Sequence, residues 1–328
     1  MKTTKLPTTL VEAVRYFSDA DTCLEFMVSL RWPNGATCPQ CGSKEVTFLK
    51  NAQLWKCHTK HPKQKFSVKM GTVFEDSPIS LDKWLAAIWM IANCKNGISS
   101  YEIHREIGVT QKTAWFMLHR IRLAMQTGSF QKFSGQVEVD ESFIGGLARN
   151  MHEHKRKEKI EGSGSVGKTI VMGLLERHCL DKQSKVKATV VPNTGYKTLQ
   201  NQVRKHAEVG SEIFTDQNPS YIGLRSDYAH KVINHAEAYV KGNVHTNGIE
   251  NFWSLLKRTV KGTYVSIEPF HLFRYLDEQS FRFNTRKGTN AERFTEVLEA
   301  ISGKRLTYKK LLGKDNREDL LATPPMQR

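Results

Sequence analysis

The chain has 328 residues, with 49 Lys and Arg against 33 Asp and Glu, a formal net charge of +16 and a pI near 9.5. A surplus of that size points to a polyanionic partner, because phosphates attract it and counterion release drives the association. The length allows two or three domains. No apolar run approaches the ~18 residues of a bilayer-crossing helix, and "MKTTKLPTTLVEAVRYF" lacks the apolar stretch of a signal peptide, which sets membrane and secreted classes aside.

Residues 1–33 form an N-terminal helical segment. In the reducing cytoplasm expected for such a chain, cysteines more often bind metal than form disulfides. The stretch "TCPQCGS" offers Cys38 and Cys41 in a tight turn that aims both thiolates at one point, with Gly42 relieving the backbone. A second pair comes from "WKCHTKHPKQKF", where Cys57 can be joined by His58 or His61. His58 would have to double back sharply, so the reading favours His61 and a structural Zn²⁺ held by Cys38, Cys41, Cys57 and His61. The ribbon is expected over 34–76, with "EVTFLK" and "KFSVKMGTVF" as flanking strands. Cys23, Cys94 and Cys179 are isolated and read as small core hydrophobes.

Residues 77–127 read as helical. "LDKWLAAIWMIANCKNG" has helical periodicity and ends at Gly97 as a C-cap. "SSYEIHREIGVTQKTAWFMLHRIRLAMQ" then breaks at Gly108 into a short helix capped by Ser99 or Ser100 and a longer one capped by Thr110. The longer helix carries Gln111, Lys112, His119, Arg120 and Arg122. The pattern suits a helix-turn-helix whose Lys112, Arg120 and Arg122 meet DNA; the alternative is a plain helical bundle with a solvated basic face. Residues 127–136 are a polar linker.

From 135 to 290 strands and helices follow one another. In "GQVEVDESFIGG", Val137 and Val139 share one face of a strand and Glu138 and Asp140 the other. The charged, glycine-rich stretch 149–168 reads as a surface loop. Strands are expected at "TIVMGLLER" and "KVKATVVP", a helix at "GYKTLQNQVRKHAE", and a strand ending at Asp216 in "SEIFTDQNPSY". The last helix, "HTNGIENFWSLLKR", lines Asn247, Glu250, Ser254 and Lys257 along one face, with Phe252, Trp253, Leu255 and Leu256 as apolar bulk. Three antiparallel strands, a helix, a strand ending in an acid and a helix bearing an acid are the order of an RNase H-like fold with a mixed sheet. The fold class is therefore α+β and multidomain.

Asp216 follows Asp140 by 76 positions and Glu250 follows Asp216 by 34. Carboxylates converging at one point repel unless divalent cations lie between them. Two Mg²⁺ (or Mn²⁺) ions roughly 4 Å apart would activate an attacking oxygen and stabilise a leaving one in phosphoryl transfer. Lys257, two turns beyond Glu250 on the same face, would touch a DNA phosphate, with Arg258 beside it. Singly, each acid has an ordinary reading: an exposed strand residue, a turn former before Asn218 and Pro219, a helix-surface charge. Jointly, in so basic a chain, Asp140 and Asp216 read as catalytic. The third position is open between Glu250 and Asn247, one turn earlier. Glu141 points to the opposite strand face and reads as structural.

"VEVDESFIGG", "FTDQNPSY", "HTNGIENFWSLLKRTVKGTY" and "HLFRYLDEQSFRFNTRK" resemble the signature blocks of the ISXO-like insertion-sequence transposases. "CPQCGS" and "KFSVKMGTVFEDSPISLDKWLAAIWM" are similar to the zinc ribbon that precedes them. The resemblance runs from about residue 10 to 290. It implies a DDE-type RNase H-like domain, with Glu250 and Lys257 matching the last acid and the basic residue seven positions on. Some members carry Asn or His as the third ligand, which keeps Asn247 open. It also implies Mg²⁺-dependent hydrolysis at the element's ends, attack of the freed 3′-hydroxyl on target DNA, and recognition of terminal inverted repeats by the ribbon and helix-turn-helix.

The expected partners are terminal-repeat and target DNA and further copies of the chain, as a homodimer or higher oligomer on DNA, with no membrane. The expected place is the bacterial cytoplasm, at the nucleoid. Beyond the acids, "EPFHLFRYLDEQSFRFNTR" is a helix whose Arg282 and Arg286 could line a DNA channel or be solvated. Residues 291–328 form a C-terminal helix and a charged tail that is partly disordered from 303. Two other functions compete: a domesticated, non-catalytic DNA-binding regulator, which has no need of clustered acids, and an RNase H-like nuclease, which would cleave without joining.

Overall fold

A computed structural model describes residues 6–126, 131–145, 168–177, 183–233 and 245–314. The chain forms two compact units, one from Met1–Cys94, Ile98–Met125 and Thr289–Arg328, the other from Lys95–Gly97 and Gln126–Gly288.

The first unit opens with α1 (Leu10–Tyr16) and α2 (Ala20–Arg31). Thr9 and Glu12 form a capping box on α1, and the Asp19 carboxylate accepts the Thr22 N–H on α2, so each helix start has a side-chain acceptor for an N–H left without an intrahelical partner. Strands β1 (Val46–Leu49), β2 (Leu54–Cys57) and β3 (Lys65–Phe66) make an antiparallel sheet in that order. The third strand is only two residues long, shorter than "KFSVKMGTVF" suggested, because turns begin at Ser67. Three helices follow: α3 (Leu81–Asn93), α4 (Ser100–Ile107) and α5 (Gln111–Met125). Helix α3 buries Trp84, Leu85, Ile88 and Ile91. It stops at Cys94, and Gly97 (φ +79°) lies in the turn beyond it rather than at the cap. Ser99 and Glu102 form the capping box of α4, which ends at Gly108 in the left-handed region (φ +62°), where a Cβ would be strained. Thr110 Oγ1 accepts the Thr113 N–H at the start of α5.

The second unit holds a five-stranded mixed sheet. In chain order come β4 (Gln136–Ile144), β5 (Thr169–Glu176), β6 (Lys185–Val191), α6 (Tyr196–His206), β7 (Glu212–Thr215), a 3₁₀ turn at Pro219–Ser226 and β8 (Ala229–Val232). The spatial order is β6-β5-β4-β7-β8. The β6-β5-β4 side is antiparallel, and β4-β7-β8 are parallel. Helix α7 (Asn247–Thr259), a π turn at Val260–Tyr264 and α8 (Leu272–Asn284) complete the unit. Strand alternation divides the core. Val137, Val139, Met172 and Leu174 pack with Leu199 and Val203 of α6 and with Tyr221. Val171 and Leu175 pack on the other face with Ile249, Phe252 and Leu256 of α7 and Leu276 of α8. Glu138 and Asp140 alternate with Val137 and Val139, so they face α7.

Phe133, placed in the polar linker by sequence, bridges to Ala207 and is buried in this unit. Strand β8 has no counterpart among the expected strands. The chain then returns to the first unit with α9 (Asn290–Glu299) and α10 (Tyr308–Leu311). Phe294 of α9 packs against Phe17 (5.7 Å between ring centroids) and Trp89 (5.1 Å). Leu306 and Leu311 are also buried, so the tail folds as far as residue 314. The loop at 149–167, Cys179, linker residues 127–130 and the tail from 315 lie outside the described residues. Among the described residues no helix is long and apolar enough to cross a membrane.

Candidate active site and metal centre

Asp140 sits mid-strand on β4, facing α7. Its Oδ2 accepts the indole N–H of Trp253 at 3.0 Å. Burial raises the Asp140 carboxyl to about 6, and the nearby Asp216 and Glu250 carboxylates push the same way. Two acids distant in sequence therefore bear on Asp140 at once. Asp216 is the first residue past β7, the neighbour of β4, and its Oδ1 accepts the Asn218 N–H at 3.2 Å. It is thus both a turn former and a neighbour of Asp140. Glu250 lies in the first turn of α7 and accepts from Thr246 Oγ1 at 2.9 Å. Asn247 is exposed at the first position of the helix. Glu250 bears on Asp140 by its charge, which the neutral Asn247 cannot do.

Glu141 does point to the other strand face, where the Tyr221 hydroxyl donates to its Oε1. It is still close enough to Asp140 and Asp216 to feel both. Burial first, then those two carboxylates, push it up to about 8. Trp253, read as apolar bulk, and Tyr221, given no role, were invisible as site residues in the sequence. The available signal was generic: a buried indole or phenol needs a polar partner.

The basic residues sort into two groups. Lys257 and Arg258 are exposed on α7. Lys257 lines an open cavity of about 270 Å³ together with Lys168, Lys261 and the exposed ring of Phe143. Lys112 is exposed in the first turn of α5, its ammonium 5.0 Å from the Tyr308 ring centre. Arg286 is exposed but tied to Ser184 of the segment before β6. Arg120, Arg122 and Arg282 do not lie on a wet face. Arg120 is buried against Phe116 and donates to the carbonyls of Glu75 and Leu306. Arg122 is 1 % exposed, and His119 beside it is also buried. Arg282 donates to Glu278, itself fully buried, to which Tyr264 also donates. Burial takes these three side chains off the solvated basic face that the sequence suggested.

In the ribbon, one ligand atom each from Cys38, Cys41, Cys57 and His61 lies within 4.8 Å of all the others. Cys41 Sγ and Cys57 Sγ are 3.6 Å apart, and Cys38 Sγ is 3.4 Å from His61 Nε2. A tetrahedral site with Zn–S of ~2.3 Å separates its sulfurs by about 3.8 Å, so this donor set fits zinc. Gly42 (φ +71°) turns the knuckle, its N–H bonded to the Cys38 carbonyl. His58 is turned away, with Nε2 2.8 Å from Thr47 Oγ1. His61 therefore completes the cluster, as the spacing suggested.

Comparison with known proteins gives two family matches and one relative. Residues 132–284 match the ISXO2-like transposase domain, and residues 18–59 match a transposase zinc-ribbon domain. Over an alignment of 325 residues the chain is also 22% identical to an "uncharacterized protein in transposable element ISH50" of Halobacterium salinarum. That alignment covers 94% of this chain and 98% of the relative.

Proposed function

We propose that this chain, which carries an ISXO2-like transposase domain behind a transposase zinc ribbon, is an insertion-sequence transposase that cuts the ends of its element and joins them to target DNA. The observation that carries this reading is Asp140, buried and bonded to α7 through Trp253, its carboxyl raised first by burial and then by the Asp216 and Glu250 carboxylates. Buried acids that destabilise one another are what divalent cations relieve, so the donor set fits Mg²⁺ or Mn²⁺. Asp140, Asp216 and Glu250 would hold the ions, with Asn247 at the edge of the site rather than in it. Bound there, two cations would supply the charge that activates the attacking oxygen and stabilises the leaving one.

The protein's own groups then orient the reaction. The Trp253 N–H fixes one oxygen of Asp140, and the Asn218 N–H fixes one of Asp216. Lys257 and Arg258 hold the DNA backbone beside the acids. Acids on the first strand, just past the strand parallel to it, and on a following helix support an RNase H-like arrangement. The Gly108 turn between α4 and α5 supports a helix-turn-helix, now with Lys112 rather than Arg120 or Arg122 at the DNA. Processing two element ends calls for at least two copies of the chain on DNA.

Purified protein with terminal-repeat DNA and Mg²⁺ or Mn²⁺ tests this. Cleavage and joining are expected, both abolished by Asp216→Ala and by Glu250→Ala, with Asn247→Ala retaining them. Full activity of Asp216→Ala would sink the proposal. Cleavage without joining would indicate a nuclease, and DNA binding with neither reaction a regulator.

A further inference from the structure

We infer that Glu138 is a positioning residue that seats the N-terminus of α7 on the sheet and so sets where Glu250 stands relative to Asp140; the inference rests on the two-metal reading above. Glu138 is 1 % exposed and lies two residues before Asp140 on the same face of β4. Its Oε2 accepts the N–H of Ile249 at 2.8 Å. Ile249 is the third residue of α7, where backbone N–H groups have no partner within the helix. Thr246, the residue at the cap, gives no side-chain bond to those N–H groups; its hydroxyl donates to Glu250 instead. A carboxylate from the sheet thus does the work of a capping residue, with favourable charge at the helix N-terminus.

The approach is close. A Cβ on Gly248 would lie 2.9 Å from Glu138 Oε2 and 3.1 Å from Leu175 Cδ2, so glycine admits the carboxylate there.

The other carboxylate oxygen is held as firmly. Arg177, just past β5, donates from Nε to Glu138 Oε1 at 2.7 Å. The same guanidinium donates to the carbonyl of His245, two residues before α7, and stands 2.9 Å from His245 Nδ1. It stacks over Phe214 at 4.2 Å. Phe214 is opposite Glu138 in the β4–β7 register and two residues before Asp216. One buried pair therefore joins the strand bearing Asp140, the strand leading to Asp216 and the helix bearing Glu250.

With Trp253–Asp140 one turn further along, α7 is fastened to β4 at two points, which fixes its rotation as well as its height. A buried ion pair alone is weak grounds for a stability role, since apolar residues of similar size can replace one without loss. Its place at the helix end that carries the third acid is what a metal site needs, because small displacements of ligands are costly to chemistry.

The test uses the full chain and Mn²⁺ as the probe, with binding read by the electron paramagnetic resonance of free Mn²⁺ and thermal unfolding recorded in parallel. Glu138→Gln is expected to weaken Asp216-dependent Mn²⁺ binding by about 10- to 100-fold, the range for residues that orient metal ligands. The Mg²⁺ concentration for half-maximal cleavage should rise in step, with activity recovered at high Mg²⁺. Gly248→Ala, which displaces the helix end while leaving the ion pair chemically intact, should shift both in the same direction and decides the matter if Glu138→Gln does not fold. Folded variants with wild-type Mn²⁺ affinity, whatever their melting temperature, would reduce Glu138 to a structural ion pair and overturn the inference. Wild-type protein whose Mn²⁺ binding ignores Asp216→Ala would instead defeat the metal reading beneath it.

Discussion

Gly173 offers the sharpest check on how α7 is seated. It lies on β5 directly opposite Asp140, on the face that α7 covers. A Cβ there would come to 2.7 Å from Ile249 Cδ1 and to 2.7 and 2.8 Å from Cζ2 and Cη2 of Trp253. Ile249 can change rotamer, but the indole is pinned by its bond to Asp140. For Gly173→Ala, replacing a strand glycine gains ~0.5–1 kcal/mol, while overpacking a close-packed core costs ~1–3 kcal/mol. The clash involves a rigid ring, so the cost wins, leaving a net loss of about 1–2 kcal/mol. For a unit of this size that is a fall of roughly 2–8 °C in melting temperature. The helix must also lift by a few tenths of an ångström or more, loosening Trp253 from Asp140 and moving Glu250, so Mn²⁺ affinity should fall as well. Thermal unfolding and Mn²⁺ titration of the same sample measure both. A Gly173→Ala protein as stable as wild type, with unchanged Mn²⁺ affinity, would refute the seating of α7 on that glycine.

Other outcomes follow from the same geometry. Metal analysis should find that His61→Ala loses the ribbon's zinc while His58→Ala keeps it, since only His61 joins the cysteines; the reverse result would reassign the ligand. In metal-free protein, Asp140 at about 6 and Glu141 at about 8 keep more protons in the folded state than in the unfolded one. Half-buried His206, held down to about 4, works the other way below its unfolded value near 6.5, so stability should fall with pH from about 6.5 to about 8, where Glu141 loses its proton, and divalent cations should restore it. Unfolding midpoints across that range that rise without metal would contradict this. Arg282→Met would leave the buried Glu278 without its cation, and a loss of ~3–5 kcal/mol is expected in denaturant unfolding. Undiminished stability with a shallower salt dependence of DNA binding would return Arg282 to the DNA surface.

Much of the site was legible because its parts are locally encoded. The Cys-Pro-x-Cys-Gly knuckle dictates its own turn, and β4 and β5 announce themselves by alternating apolar residues. The acid past β7 and the polar face of α7 also stand out from their neighbours. What escaped depends on partners far along the chain. Arg120 reads as the wet side of a helix until the carbonyls of Glu75 and Leu306 arrive to receive it. Arg282 reads the same way although its partner Glu278 is only one turn away, because nothing local says that this turn of the helix is buried. Strand β8, with the sequence Ala-His-Lys-Val, is a short edge strand with little apolar signal, and only its pairing with β7 makes it a strand. Glu138 was legible only as an acid sharing a strand face with Asp140. Its meaning comes from Gly248 and Arg177, one more than a hundred residues away and the other at the end of a neighbouring strand.

The return of the chain to its first unit through α9 and α10 has a consequence for synthesis. Domains generally fold as units while they emerge from the ribosome, N-terminal first, at ~5–20 residues per second. Here the unit begun first cannot be the first completed. The sheet, the three acids and α8 are all encoded by residue 288, whereas the zinc-ribbon and helical unit lacks Phe294, Val297, Leu298, Leu306 and Leu311 of its core until the following residues appear. Until the last residues of α9 and α10 are made, the unit begun first stays open, whereas the acid-bearing unit needs nothing encoded beyond residue 288. A premature stop near residue 288 would leave the acids in place and deprive the N-terminal unit of its core.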